Sequence, residues 1–104
     1  MAAGPKGAGL GVTVEELSDE MAQTYGLRGR SGVVVTDVAP DSAAEEAGIK
    51  EGDLVLEVNR RRVGTVEEFK NAVALLTPGE AVPVQIERSG AGREYVVLKV
   101  PDKP

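Results

Sequence analysis

Only three of the 104 side chains are aromatic, two Tyr and one Phe, and none is Trp. A core without large rings has to be closed by many small aliphatic contacts, so Val, Leu, Ile and Ala must carry it. Valine is the commonest of these, and β-branched side chains suit a pleated, half-buried surface better than a helix. Thirteen glycines and six prolines add many turns. The expectation is one α+β or mostly β domain, since domains typically run to about 100–150 residues.

Absences narrow the chemistry. The chain has no Cys and no His. Disulfides, thiolate catalysis, Cys-based zinc sites, Ser-His-Asp triads and His-metal mechanisms are thereby excluded. The net charge of −5 repels phosphate backbones and argues against a nucleic-acid partner. Arg60, Arg61 and Arg62 are a solvated turn on this reading, with no aromatic beside them. The acidic pairs Glu15/Glu16, Glu45/Glu46 and Glu67/Glu68 are adjacent in sequence, so their members point apart and form no acid-base dyad. No metal or other cofactor is implied. No apolar run approaches the roughly 18–20 residues that span a membrane, so insertion is not expected. Residues 1–8 read as a Gly/Ala/Pro-rich lead or linker, residues 9–100 as the domain, and residues 101–104 as a short tail.

Within 9–100 the periodicity predicts a strand over Leu10–Val14, with Leu10, Val12 and Val14 on one face. Ser18 opens a first helix that Gly26 stops. A strand at 32–38 carries Val33, Val34 and Val35 without alternation, as when both faces are covered. Ser42 with Glu45, and Thr65 with Glu68, have capping-box spacing before a short helix ending at Gly48 and a longer one ending near Thr77-Pro78-Gly79. Leu54, Leu56 and Val58 share a face in the next strand. Strands at 82–87 and 94–100 form a hairpin across Ser89–Gly92, and Pro83 belongs near a strand start or on an edge.

Four segments in this order resemble one family. Gly9-Leu10-Gly11-Val12 is similar to the carboxylate-binding loop of PDZ domains. Residues 32–48 resemble the family's strand, Pro-x-Ser turn and Ala-rich helix. Gly52-Asp53 through Val58-Asn59 resembles its Gly-Asp strand, and residues 65–79 its groove helix. The order is that of the circularly permuted bacterial PDZ domain, most like the second PDZ domain of HtrA/Do (Deg) serine proteases. One departure is Arg60, which follows Asn59 where PDZ domains usually carry Gly. The resemblance implies a small PDZ-like barrel or sandwich of five to six strands with two to three helices.

It also implies a function. A PDZ groove takes a C-terminal or extended peptide as an added strand and holds its carboxylate on main-chain amides, for which glycine supplies the needed conformation. Carried onto this chain, the loop is Gly9, Leu10, Gly11 and Val12, the pairing edge Val12, Thr13 and Val14, and the helix wall Val66, Lys70 and Val73. Lys6 would attract the carboxylate. Leu10, Val12 and Val73 would line the pocket for the last side chain. Burying such a side chain contributes about 1.5–3 kcal/mol, and each of two or three hydrogen bonds roughly 1 kcal/mol. After ordering costs, a Kd near 1 μM, about −8 kcal/mol, is expected. The implied setting is a non-catalytic domain of a periplasmic serine protease, with the rest of that protease as a further partner. The alternatives are a PDZ scaffold with an unused groove, serving inter-domain or oligomer contacts, or the PDZ domain of another bacterial protease or secretion protein.

Overall fold

In the computed structural model of the chain, residues 10–101 are described. They form β1 (Val12–Glu16), α1 (Asp19–Tyr25), β2 (Val33–Val38), α2 (Ala43–Ala47), β3 (Leu54–Val58), β4 (Arg61–Arg62), α3 (Val66–Ala74), β5 (Ala81–Arg88) and β6 (Gly92–Lys99). All pairings are antiparallel, and the sheet runs in the order β1-β2-β3-β5-β6 with β4 folded back on β3. These six strands and three helices make an α+β domain, as the resemblance implies. β1 and β6 are not paired with each other, so the sheet is open rather than a hydrogen-bonded barrel.

The helices begin where the sequence places their caps. Ser18, Ser42 and Thr65 are extended, and their hydroxyls accept the N–H groups of Met21, Glu45 and Glu68 at 3.1–3.2 Å. Such caps satisfy donors that the first turn of a helix leaves unpaired. The reciprocal half differs from a strict capping box. Glu45 accepts the N–H of Asp41, and Glu68 that of Gly64, each at 2.7 Å and one residue before the cap. Gly26 and Gly48 end α1 and α2 in the left-handed conformation, with φ of 72° and 94°.

Arg61–Arg62 form β4 where the sequence reading had a turn, and two further departures matter to the core. β1 starts at Val12 rather than Leu10, because Gly11 has φ +83° and breaks the extended run. In β3 the register slips between Val55 and Glu57. Leu54 and Leu56 therefore face a small cluster with Ala22, Leu27 and Val34 beneath α1. Val55 and Val58 turn into the main core instead. Val58 does not share a face with Leu54 and Leu56: an added residue in a strand flips the side chains beyond it.

The main core gathers Val12 and Val14 from β1, Val33 and Val35 from β2, Phe69 and Val73 from α3, and residues of β5 and β6. Val33, Val34 and Val35 are all fully buried, but Val34 belongs to the other cluster. Both faces of β2 are thus covered. Pro83 lies in β5, between β3 and β6, opposite Val97. Its carbonyl accepts Asn59 N–H at 2.8 Å just past the end of β3, where no proline N–H is required. Asn59 and Arg60 have φ of 51° and 71° at the tip between β3 and β4. That conformation is easy for Gly and costly for Arg.

Candidate functional site

Among the described residues, β1 is paired on one side only, with β2. Ala39 N–H donates to Gly11 O at 2.8 Å, which flanks the Val12–Val38 pair. Leu17 N–H donates to Gly32 O at 2.8 Å and flanks the Glu16–Val33 pair in the same way. Pairs flanked like this are the non-hydrogen-bonded kind, and their own N–H and C=O groups point away from the partner strand. The main-chain groups of Val12, Val14 and Glu16 accordingly face the open edge. Their side chains do not leave the edge bare: Val12 and Val14 are buried in the core.

The preceding loop is held from behind. Leu10 O accepts Ala44 N–H at 3.0 Å, and Gly11 O accepts Ala39 N–H at 2.8 Å. In a trans peptide the carbonyl and the following N–H point in opposite directions. Pinning these two carbonyls against the α2 side therefore turns the N–H groups of Gly11 and Val12 toward the other side. A Cβ at Gly11 would collide with Ser42 Cβ and lie 2.8 Å from Ser42 Oγ. The glycine is required twice, by its φ and by this close approach.

α3 lies beside the open edge and runs opposite to β1. Glu16 Oε2, at the end of β1, accepts the N–H of Val66 at the start of α3, at 3.2 Å. At the other end, Val73 joins Leu10, Val12 and Phe69 around one apolar hollow of about 10 Å³, closed below by core residues. Val66 is half-buried and packs against the core, whereas Lys70 is exposed between the two ends of the helix. Thr13 is half-buried, and its carbonyl accepts the Thr36 hydroxyl at 3.3 Å. β1 and α3 thus flank one trough, with Leu10, Gly11, Val12 and Val73 at one end, Val14 buried along β1, and Val66 beside Glu16 at the other end. Lys6 and Gly9, like the rest of residues 1–8 and residues 102–104, lie outside the described residues.

Two features have no local signature in the sequence. One is the Glu16–Val66 contact, which joins positions fifty residues apart. The other is Asp53, the only buried charged or polar residue in the described core, at 1% exposure. Its carboxylate accepts Lys50 N–H and both Nε and Nη2 of Arg88, all at 2.8 Å. Arg88 Nη2 also donates to Gly48 O at 2.9 Å. The hydrogen bonds to Asp53 raise the Arg88 pKa above its ordinary value, against the opposing effect of burial. This pair ties the α2–β3 turn to the end of β5 and lies outside the trough. Among the described residues no group of three or more His, Cys, Asp and Glu is arranged to hold a metal ion, and no helix is long and apolar enough to cross a membrane.

The sheet order and the glycine loop fit the family that the sequence resembles, and comparison with known families gives the same class. The PDZ domain model matches residues 8–98, and the chain belongs to the PDZ domain family. Its relatives narrow this further. A probable periplasmic serine endoprotease, DegP-like, from Chlamydia trachomatis serovar D is 37% identical over 88 residues, covering 85% of this chain and 18% of the relative. A protein of the same description from Marinomonas sp. is 35% identical over 83 residues, covering 80% and 18%. The chain thus spans about a fifth of the length of these relatives. Among solved structures, the HtrA-type protease AlgW with a decapeptide matches with a TM-score of 0.83 and 28% identity, over 91% of this chain and 29% of that one. The HtrA3 PDZ domain bound to a phage-derived ligand, FGRWV, shares the fold, with a TM-score of 0.69 and 23% identity over 86% and 81%.

Proposed function

We propose that the domain binds the carboxyl ends of other polypeptides, or extended apolar-ended segments, by adding them as a strand to β1. The observation that carries this reading is the open row of Val12, Val14 and Glu16 main-chain groups beside an apolar hollow. It is supported by the peptide-bound neighbours, AlgW with a decapeptide and the HtrA3 domain with FGRWV. The peptide carboxylate is received by the inward N–H groups of the Leu10–Val12 loop, with Gly9 completing it and Lys6 adding a screened attraction. The last side chain enters between Leu10, Val12 and Val73. Val66 and Lys70 form the helix rim, and Thr13 lies on the pairing strand. Because the hollow is only about 10 Å³, a side chain enters only as its wall gives way.

The domain performs no chemistry in this role. It presents or regulates substrates for a serine protease of the HtrA type, of which it is one non-catalytic part. The periplasm is the setting in which its DegP-like relatives are described. The test is an amide-shift titration with a short peptide ending in Val, against its C-terminally amidated twin. The free acid is expected to saturate in the micromolar range with shifts at residues 10–14 and 66–73, and the amide to bind at least ten-fold more weakly. Equal binding of the two, or shifts confined to other surfaces, overturns carboxylate capture.

A further inference from the structure

Glu16 stands where β1 ends, at the far end of the trough from the glycine loop. Its main-chain groups face the open edge, while its carboxylate reaches across to α3. One oxygen, Oε2, accepts Val66 N–H, and Oε1 has no protein donor among the described residues. No ion pair among the described residues involves Glu16. Where β1 ends, the trough is therefore bounded by a carboxylate with one of its two oxygens unused.

The register of an added strand fixes what meets it. If the terminal carboxylate lies at the Leu10–Val12 loop, the peptide must run antiparallel to β1. Its last residue then pairs with Val12, its third from the end with Val14, and its fifth from the end with Glu16, since edge-facing positions recur every second residue. Side chains directly opposite in an antiparallel pair point to the same face. The last and third side chains follow Val12 and Val14 toward the core, whereas the fifth falls beside the Glu16 carboxylate.

We infer that Glu16 selects a cationic side chain, Lys or Arg, at the fifth residue from the carboxyl end of the bound peptide. This rests on the strand-addition reading above. The Val12–Val73 end then measures the apolar terminus, and the Glu16 end measures charge four residues upstream. Glu16 is exposed to solvent, so the preference is modest and weakens with salt.

The test uses the whole chain and peptides of one length ending in Val, with Lys, Gln or Glu at the fifth position from the end. Opposite charges facing each other across a strand pair predict a roughly two- to five-fold tighter Kd for Lys than for Gln, and a weaker one for Glu. Raising the salt concentration should compress the series. The Lys-to-Glu ratio should fall close to one in Glu16→Gln. A second series on the unmodified chain moves the Lys to the fourth or sixth position, where its side chain leaves the Glu16 face and the gain should vanish. If the free-acid peptides bind but charge at the fifth position has no effect, the role of Glu16 is overturned and the groove stands. If no free-acid peptide binds, both fall together.

Discussion

The Asp53 turn and the Leu10–Glu16 edge answer the same physical demand in opposite ways. Buried polar groups need partners, and main-chain groups that lose water need them most. At Asp53 the demand is met from within: three hydrogen bonds from Lys50 and Arg88 partner both oxygens of a carboxylate that solvent cannot reach. No buried side-chain polar atom among the described residues lacks a partner. Along β1 the carbonyls of Leu10 and Gly11 are claimed by α2 and the turn before it, whereas the outward groups of Val12, Val14 and Glu16 are left to solvent. A closed network holds the fold, and an open one leaves room for a visitor.

That contrast can be broken at either end. The largest effect is expected from Asp53→Ala. Removing one partner of a buried, hydrogen-bonded pair typically costs about 3–5 kcal/mol. Arg88 is partly exposed and recovers some hydration, so the loss should be about 3 kcal/mol in urea denaturation. Peptide affinity of the folded fraction should not change. A loss below about 1 kcal/mol would mean that the pair does not anchor the fold.

Gly11→Ala reverses the pattern. A non-glycine residue in the left-handed region costs about 1–2 kcal/mol, and the collision with Ser42 adds to it, so a destabilisation of about 2 kcal/mol is expected. Binding of the free-acid peptide should fall at least ten-fold beyond what the unfolded fraction explains. If it falls only by that fraction, the loop is a structural turn and not a receptor.

The smallest effect is near Asp53 and concerns Tyr25. Its hydroxyl donates to Glu51 Oε2 at 2.9 Å, and this bond is the largest cause raising its pKa above the ordinary 10.0. A group whose folded pKa is raised contributes stability that is present below its unfolded pKa and lost as the pH climbs through the folded value. Stability should therefore decline above about pH 10, and Tyr25→Phe should make that decline shallower. Parallel curves for the two proteins would remove the bond from the account.

Local signals carried most of this architecture. Ser18, Ser42 and Thr65 name their helices because a cap is a short-range contact. Val33–Val35 name a doubly covered strand because three adjacent apolar residues cannot all face one side. The glycine loop is legible for the same reason, since a left-handed φ writes itself as Gly11. What the sequence leaves open is contact over distance. Leu54, Leu56 and Val58 alternate identically with or without a register slip, so periodicity cannot reveal one. Asp53 and Arg88 are 35 residues apart, in a chain where 28% of residues are charged, so nothing marks them as partners. Glu16 looks like the second member of an ordinary acidic pair until the fold brings Val66 to it. Arg60 is the reverse case: the departure from Gly is visible, but only the fold shows an arginine accepting φ 71° at the hairpin tip.

The slip within β3 reaches back to the scarcity of rings in this chain. Two rooms share that strand as a party wall, with Leu54 and Leu56 papering one side and Val55 and Val58 the other. Branched aliphatic groups fill most of both rooms, with Phe69 the one ring in the larger and Tyr25 at the margin of the smaller. A single undivided chamber of the same total size would have called for the bulky furniture that this polypeptide lacks.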